Sequence, residues 1–171
     1  MSKRDLKKYL SELDKNQLEE QVIELYDKFK DVKIYYDFVF NPNERNLVKQ
    51  AKIKISNEYF PTRGKKPKMR RSVAQKFIKH FITLGVDAFI IADVMLYNIE
   101  IAQALSSEKQ INNESFYKSM LHSFEQAISF MIEKGILEEF KSRVVALKEE
   151  TIKQNWMNKF EFNAIVERFD Y

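Results

Sequence analysis

The sequence predicts an all-α protein: about eight helices in an antiparallel bundle or a short right-handed α-helical array, closed as a single domain over residues 1–171. Three observations carry this. Apolar residues recur at i, i+3, i+4 and i+7 in segment after segment, the spacing that lines one helix face. Only three glycines and three prolines occur, too few for the many turns of a β sandwich or barrel. No segment alternates apolar and polar residues as a half-buried strand does. With 44 % apolar and 13 % aromatic residues, the chain can fill a core, and disorder is excluded.

The elements follow in order. Ser2 caps a first helix whose stripe is Leu6, Tyr9, Leu10 and Leu13. Asp14 caps a second, with Gln17 three residues on as in a capping box, and Leu18, Val22, Leu25, Tyr26 and Phe29 as its buried stripe. Residues 32–40 are short and aromatic, ending before Asn41-Pro42, where proline disfavours helix. A fourth helix over about 43–59 presents Leu47, Val48, Ala51, Ile55 and Tyr59. Residues 61–71, with two prolines and Gly64, form a loop. Ser72 is placed to cap the next helix, with Val73, Phe77, Ile78, Phe81 and Ile82 inward and Gly85 at its end. Asp87 caps a very apolar helix to about Leu105, and 106–113 is a polar connection. A helix over 114–134 is closed by Gly135, another spans 136–154, and a last segment carries Trp156, Phe160, Ile165, Val166 and Phe169.

Targeting and redox features point to the cytoplasm. Charge arrives at Lys3 and Arg4, where a signal peptide needs an apolar core. The apolar stretch 84–105 is broken by Asp87, Asp93 and Glu100, which reads as a buried helix of a soluble protein, with no membrane partner. No cysteine occurs, so disulfides, thiolate zinc sites and cysteine nucleophiles are excluded.

Charge is the most local feature of the chain. Between Glu58 and Asp87 there is no acidic residue, while Arg63, Lys65, Lys66, Lys68, Arg70, Arg71, Lys76 and Lys79 are basic. The whole chain is +4; without those eight, 21 basic face 25 acidic residues, a net of −4. A cationic loop leading into a helix start can hold phosphate through side-chain charge and unpaired N–H groups, so these eight are the candidate anion or nucleic-acid site. The bland alternative is a solvated connector docked on acidic helices of the same chain.

Two stretches carry a family resemblance. The run Leu6-Lys7-Lys8-Tyr9-Leu10-Ser11-Glu12-Leu13 continues through Leu18-Glu19-Glu20 and Leu25-Tyr26 to Val32-Lys33, and Tyr59-Phe60-Pro61 is followed by Arg70-Arg71-Ser72 and Lys76-Phe77-Ile78-Lys79-His80-Phe81. Together, over about residues 6–110, they resemble a family of small bacterial helical proteins known only as a domain of unknown function. The resemblance implies a helical fold and no activity, and carries over no catalytic residue.

Other chemistry is thin. Gly64-Lys65 is no phosphate loop, since Tyr59 stands at the first glycine position and Lys66 follows the lysine. There is no Gly-x-Ser-x-Gly elbow. Asp93, Tyr97 and Glu100 share one face of the apolar helix, a pattern open to a carboxylate metal site or an acid and base pair. Di-iron bundles, however, need Glu three residues before His, and Phe77 and Ser119 stand there before His80 and His122. The set reads instead as a polar edge paired with Lys or Arg of neighbouring helices, with no metal and no cofactor. Tyr35, Tyr36, Phe38 and Phe40 cannot all face inward, so part of that set meets solvent or a partner.

The sequence therefore favours a binding or scaffold protein over an enzyme, acting through protein contacts or self-association. Nucleic-acid or anion binding by 63–79 is the alternative, and a carboxylate-based metal enzyme the third.

Overall fold

The computed structural model describes residues 2–62, 64 and 66–168. Arg63 and Lys65 of the candidate site, and Phe169 of the last segment, lie outside the described residues. Among the described residues there are nine helices and no strand. They fall into two compact units, Met1–Asn43 and Glu44–Tyr171, each taken by itself below.

The first unit holds α1 (Lys3–Ser11), α2 (Lys15–Lys28) and α3 (Lys30–Phe40). Its helix starts are local chemistry. The Asp5 amide donates to Ser2 Oγ (3.3 Å) while the Asp5 carboxylate accepts from the Ser2 amide (2.9 Å). Asp14 and Gln17 form the same reciprocal pair at α2 (2.9 and 3.0 Å). Phe29, in extended conformation, turns the chain directly from α2 into α3. The Tyr26 hydroxyl donates to Asp37 (2.9 Å), and its ring meets Tyr36 at 6.5 Å with Lys33 on its face at 5.5 Å.

No residue of α1, α2 or α3 is buried. The expected buried stripe of α2 is therefore corrected: Val22, Leu25 and Phe29 are exposed. Three short helices supply too little surface to close a core of their own.

The second unit is built around α6 (Ala88–Glu108), which packs against α4 (Glu44–Tyr59), α5 (Arg71–Leu84), α7 (Glu114–Lys134) and α8 (Leu137–Lys153). Its buried residues, from Ile91 and Ala92 through Leu96, Asn98 and Ile99 to Leu105, cover more than half of its circumference, and the remaining side carries Asp93, Tyr97 and Glu100. So wide an apolar face must be enclosed by several neighbours. It alone among the described helices is long and apolar enough to cross a membrane. α9 (Lys159–Glu167) completes the unit against α7 and α8.

Two helix ends use glycine for its conformational freedom. Gly85 (φ 72°) and Gly135 (φ 69°) are left-handed, and the next residues, Val86 and Ile136, donate back to Phe81 and Met131 and are buried. α8 ends in the same motif with Asn155 (φ 54°) in the glycine position and Trp156 as the buried follower, its amide donating to Thr151 at 3.0 Å. Trp156 thereby enters a ring cluster with Phe116, Tyr117 and Phe162. Two inward assignments are corrected. Ile82 is exposed, and α9 turns Phe162 into the core while Phe160 is 74 % exposed.

Candidate functional site

The basic connection between α4 and α5 hangs on one acidic residue at its edge. The Glu58 carbonyl accepts from the amides of Lys68 and Met69, both at 3.0 Å. Its carboxylate takes the Arg70 guanidinium in a two-pronged pair, with Nε on Oε2 and Nη2 on Oε1, both 2.8 Å. The Arg70 amide also donates to Glu58 Oε2 (3.4 Å). The Arg70 hydrogen bonds hold the Glu58 carboxyl below its usual range, against the opposing effect of burial.

This arrangement changes the start of α5. Arg70 is the residue that precedes the helix, without a side-chain cap, and α5 begins at Arg71. Ser72, expected as the cap, instead lies exposed in the first turn. The acceptor beside the α5 start is Glu58, twelve residues upstream, whose carboxylate accepts from the Arg70 amide.

The other cations separate into two kinds. Arg71 is half-buried, donating from Nε to Ser123 Oγ (2.9 Å) and from Nη2 to Gln126 of α7. Burial lowers its pKa, though a guanidinium stays charged. Lys66, Lys68, Lys76 and Lys79 are exposed, and no ion pair among the described residues engages them. The structure thus brings Arg70 to α4 and Arg71 to α7, and leaves the four lysines to solvent.

Asp93 and Glu100 are joined by Arg143 of α8. Its Nη1 lies 2.7 Å from Asp93 Oδ1, and its Nε and Nη2 lie 2.5 and 2.8 Å from the Glu100 carboxylate. Lys52 of α4 takes the other Asp93 oxygen at 2.6 Å and sits 4.9 Å from the Tyr97 ring centre. Burial alone would raise the Asp93 pKa; the Lys52 and Arg143 hydrogen bonds outweigh it, and the net direction is down. The network ties α4, α6 and α8 together. His122 stands away from it, 3.6 Å from Glu125. No group of three or more His, Cys, Asp or Glu is gathered among the described residues.

Sequence reasoning missed Glu58, Lys52 and Arg143. Glu58 had a signal, as the last acid before the acid-free run. Arg143 had none, lying 43 positions beyond Glu100.

A family model described as a family of unknown function (DUF6155) matches residues 1–170. The chain belongs to that family. The DUF6155 match spans both units and the basic connection, further than the resemblance over 6–110. No curated protein and no solved structure matches the chain.

Proposed function

We propose that this DUF6155 chain is a binding protein of the bacterial cytoplasm that pairs with a second copy of itself through its first helical unit. One observation carries this: a unit of three helices, two of them started by capping boxes, buries none of its described residues. It leaves Ile23, Phe29, Val39 and Phe40 exposed, Phe40 at 76 %. So small a unit needs covering to be stable.

Charge supports a second copy as the cover. Residues 1–43 hold eight basic and nine acidic residues, a net of −1, whereas the rest of the chain is +5. Along α2, Lys15 pairs with Glu19 and Lys28 with Glu24, two ion pairs within the helix. The half-exposed apolar side chains of α2 and α3 offer roughly 600 Å² per copy, close to the ~800 Å² per partner of a standard interface. The absence of cysteine suits a reducing compartment.

Light scattering behind size exclusion tests this. The full chain is expected as a concentration-dependent dimer, and Phe29→Asp with Phe40→Asp as a monomer whose second unit melts as before. A wild-type monomer at every concentration, or a dimer untouched by both substitutions, overturns the reading. Capture of a different protein chain with a monomeric wild type would replace the partner.

A second reading rests on the unpaired Lys66, Lys68, Lys76 and Lys79: nucleic-acid or phosphate binding along 63–79. It requires retention that falls steeply with salt and is lost when these four become Gln. Arg70 and Arg71 are poor probes because both hold the fold.

A further inference from the structure

We infer that a cavity of about 320 Å³ between residues 66–69 and the turn 109–113 binds a short apolar chain ending in one carboxylate. Its lining residues all belong to the second unit, whereas the proposed pairing surface belongs to the first. Its apolar lining is Pro67, Met69, Leu105 and Ile111; Lys66 and Lys109 are its charged residues, beside the neutral Gln110, Asn112 and Asn113 of the turn. Leu105 and Ile111 belong to the buried core, so this part of the lining is fixed.

The wall on the loop side is preformed. Met69 adopts a left-handed backbone (φ 52°) without being glycine. That conformation costs energy for a side chain of this kind and persists where surroundings enforce it. Here the enforcement is the Glu58 carbonyl, which accepts from both Lys68 and Met69, together with the Arg70 clamp next in sequence. The unbranched thioether of Met69 is adaptable lining for an apolar chain.

The electrostatics select the head group. Neither lysine has an ion-pair partner among the described residues, and no acidic side chain lines the cavity. The closest acid after the turn, Glu114, is taken by Lys118 at 2.6 Å. An apolar lining carrying two unpaired ammonium groups matches a ligand with an apolar body and an anionic end, and disfavours neutral and cationic ones. At roughly 30 Å³ for each water-sized group, the volume accommodates about ten non-hydrogen atoms, the size of octanoate. The carboxylate has two sources: a free acid, or the terminal residue of a peptide ending in a large apolar side chain.

Calorimetry and ligand-observed NMR on the full chain separate the possibilities. Octanoate is expected to bind saturably, octanol and octylamine at least about tenfold more weakly. Lys66→Gln with Lys109→Gln should weaken octanoate by about tenfold and leave octanol unchanged. Met69→Gly, which relaxes the backbone and removes a wall, should weaken both octanoate and octanol while the fold is retained. A short peptide ending in Leu, set beside its C-terminal amide, reports the source: free-acid peptide above octanoate assigns a chain terminus, and the reverse assigns a small acid. Equal binding of octanoate and octanol, octanoate binding unaffected by the lysine substitutions, or no saturable binding of any carboxylate overturns the proposal. The dimer measurement above is unaffected by either result.

Discussion

Arg143→Ala is expected to destabilise the second unit by about 2 kcal/mol. The residue donates to Asp93 Oδ1 (2.7 Å), to the Asp93 carbonyl (3.3 Å) and to both Glu100 oxygens (2.5 and 2.8 Å). Fully buried, each charge-assisted bond would contribute about 1.5–3 kcal/mol. About a third of each side chain meets water, 28 % for Arg143, 31 % for Asp93 and 36 % for Glu100, so solvent screening cuts the sum well below that. Lys52 still neutralises Asp93 in the variant, so most of the loss falls on Glu100. For a chain of this size, the change lowers Tm by about 4–8 °C. Urea and thermal melts measure it, with Lys153→Ala, whose side chain is 78 % exposed, as a control expected within about 0.5 kcal/mol of wild type. The sign of the pH dependence follows from Asp93, whose folded pKa lies below its unfolded value. Its contribution is complete above the unfolded value of about 3.9 and is lost as pH falls from there through the lower folded value. The share of the gap between wild type and Arg143→Ala that the Arg143–Asp93 bond carries should therefore narrow below about pH 4. Coincident melts at neutral pH would refute the reasoning, and a gap that widens in acid would refute the part assigned to Asp93.

Glu58→Gln removes the anion that anchors Arg70 and should cost about 1–3 kcal/mol in urea melts, while Lys76→Gln and Lys79→Gln leave the midpoint within error. Asn155→Gly should raise stability by about 0.5–1 kcal/mol, because glycine occupies the left-handed region without strain. Asn155→Val should lower it by about 1–2 kcal/mol, with Trp156 fluorescence reporting whether the ring cluster loosens.

Local chemistry was legible and distant chemistry was not. Ser2, Asp14, Asp87, Gly85 and Gly135 stand where the sequence places them as caps, since each acts within a few residues of itself. Ser72 fails as a cap because the Arg70 amide is served by Glu58 from the preceding helix. The stripes of α1 and α2 were read correctly as periodic, yet periodicity says which face is apolar and not whether anything covers it. Phe160 and Phe162 differ by two positions, and the start of α9 at Lys159 decides between them. The carboxylates of α6 were expected to meet a cation of a neighbouring helix, as they do, but the choice of Arg143 is made by the packing of α6 against α8.

The placement of Arg143 has a consequence for synthesis. Chains emerge N-terminus first, so α6 leaves the ribosome before α7 and α8, which enclose it, exist. For that interval an apolar helix of spanning length has only α4 and α5 of its final neighbours. Asp93 and Glu100 are then unneutralised by Arg143, and an acidic residue at the middle of a nascent span costs about 2.5–3.5 kcal/mol on insertion. The same two carboxylates that later hold α8 on the core thus raise the cost of placing α6 in a membrane until Arg143 arrives.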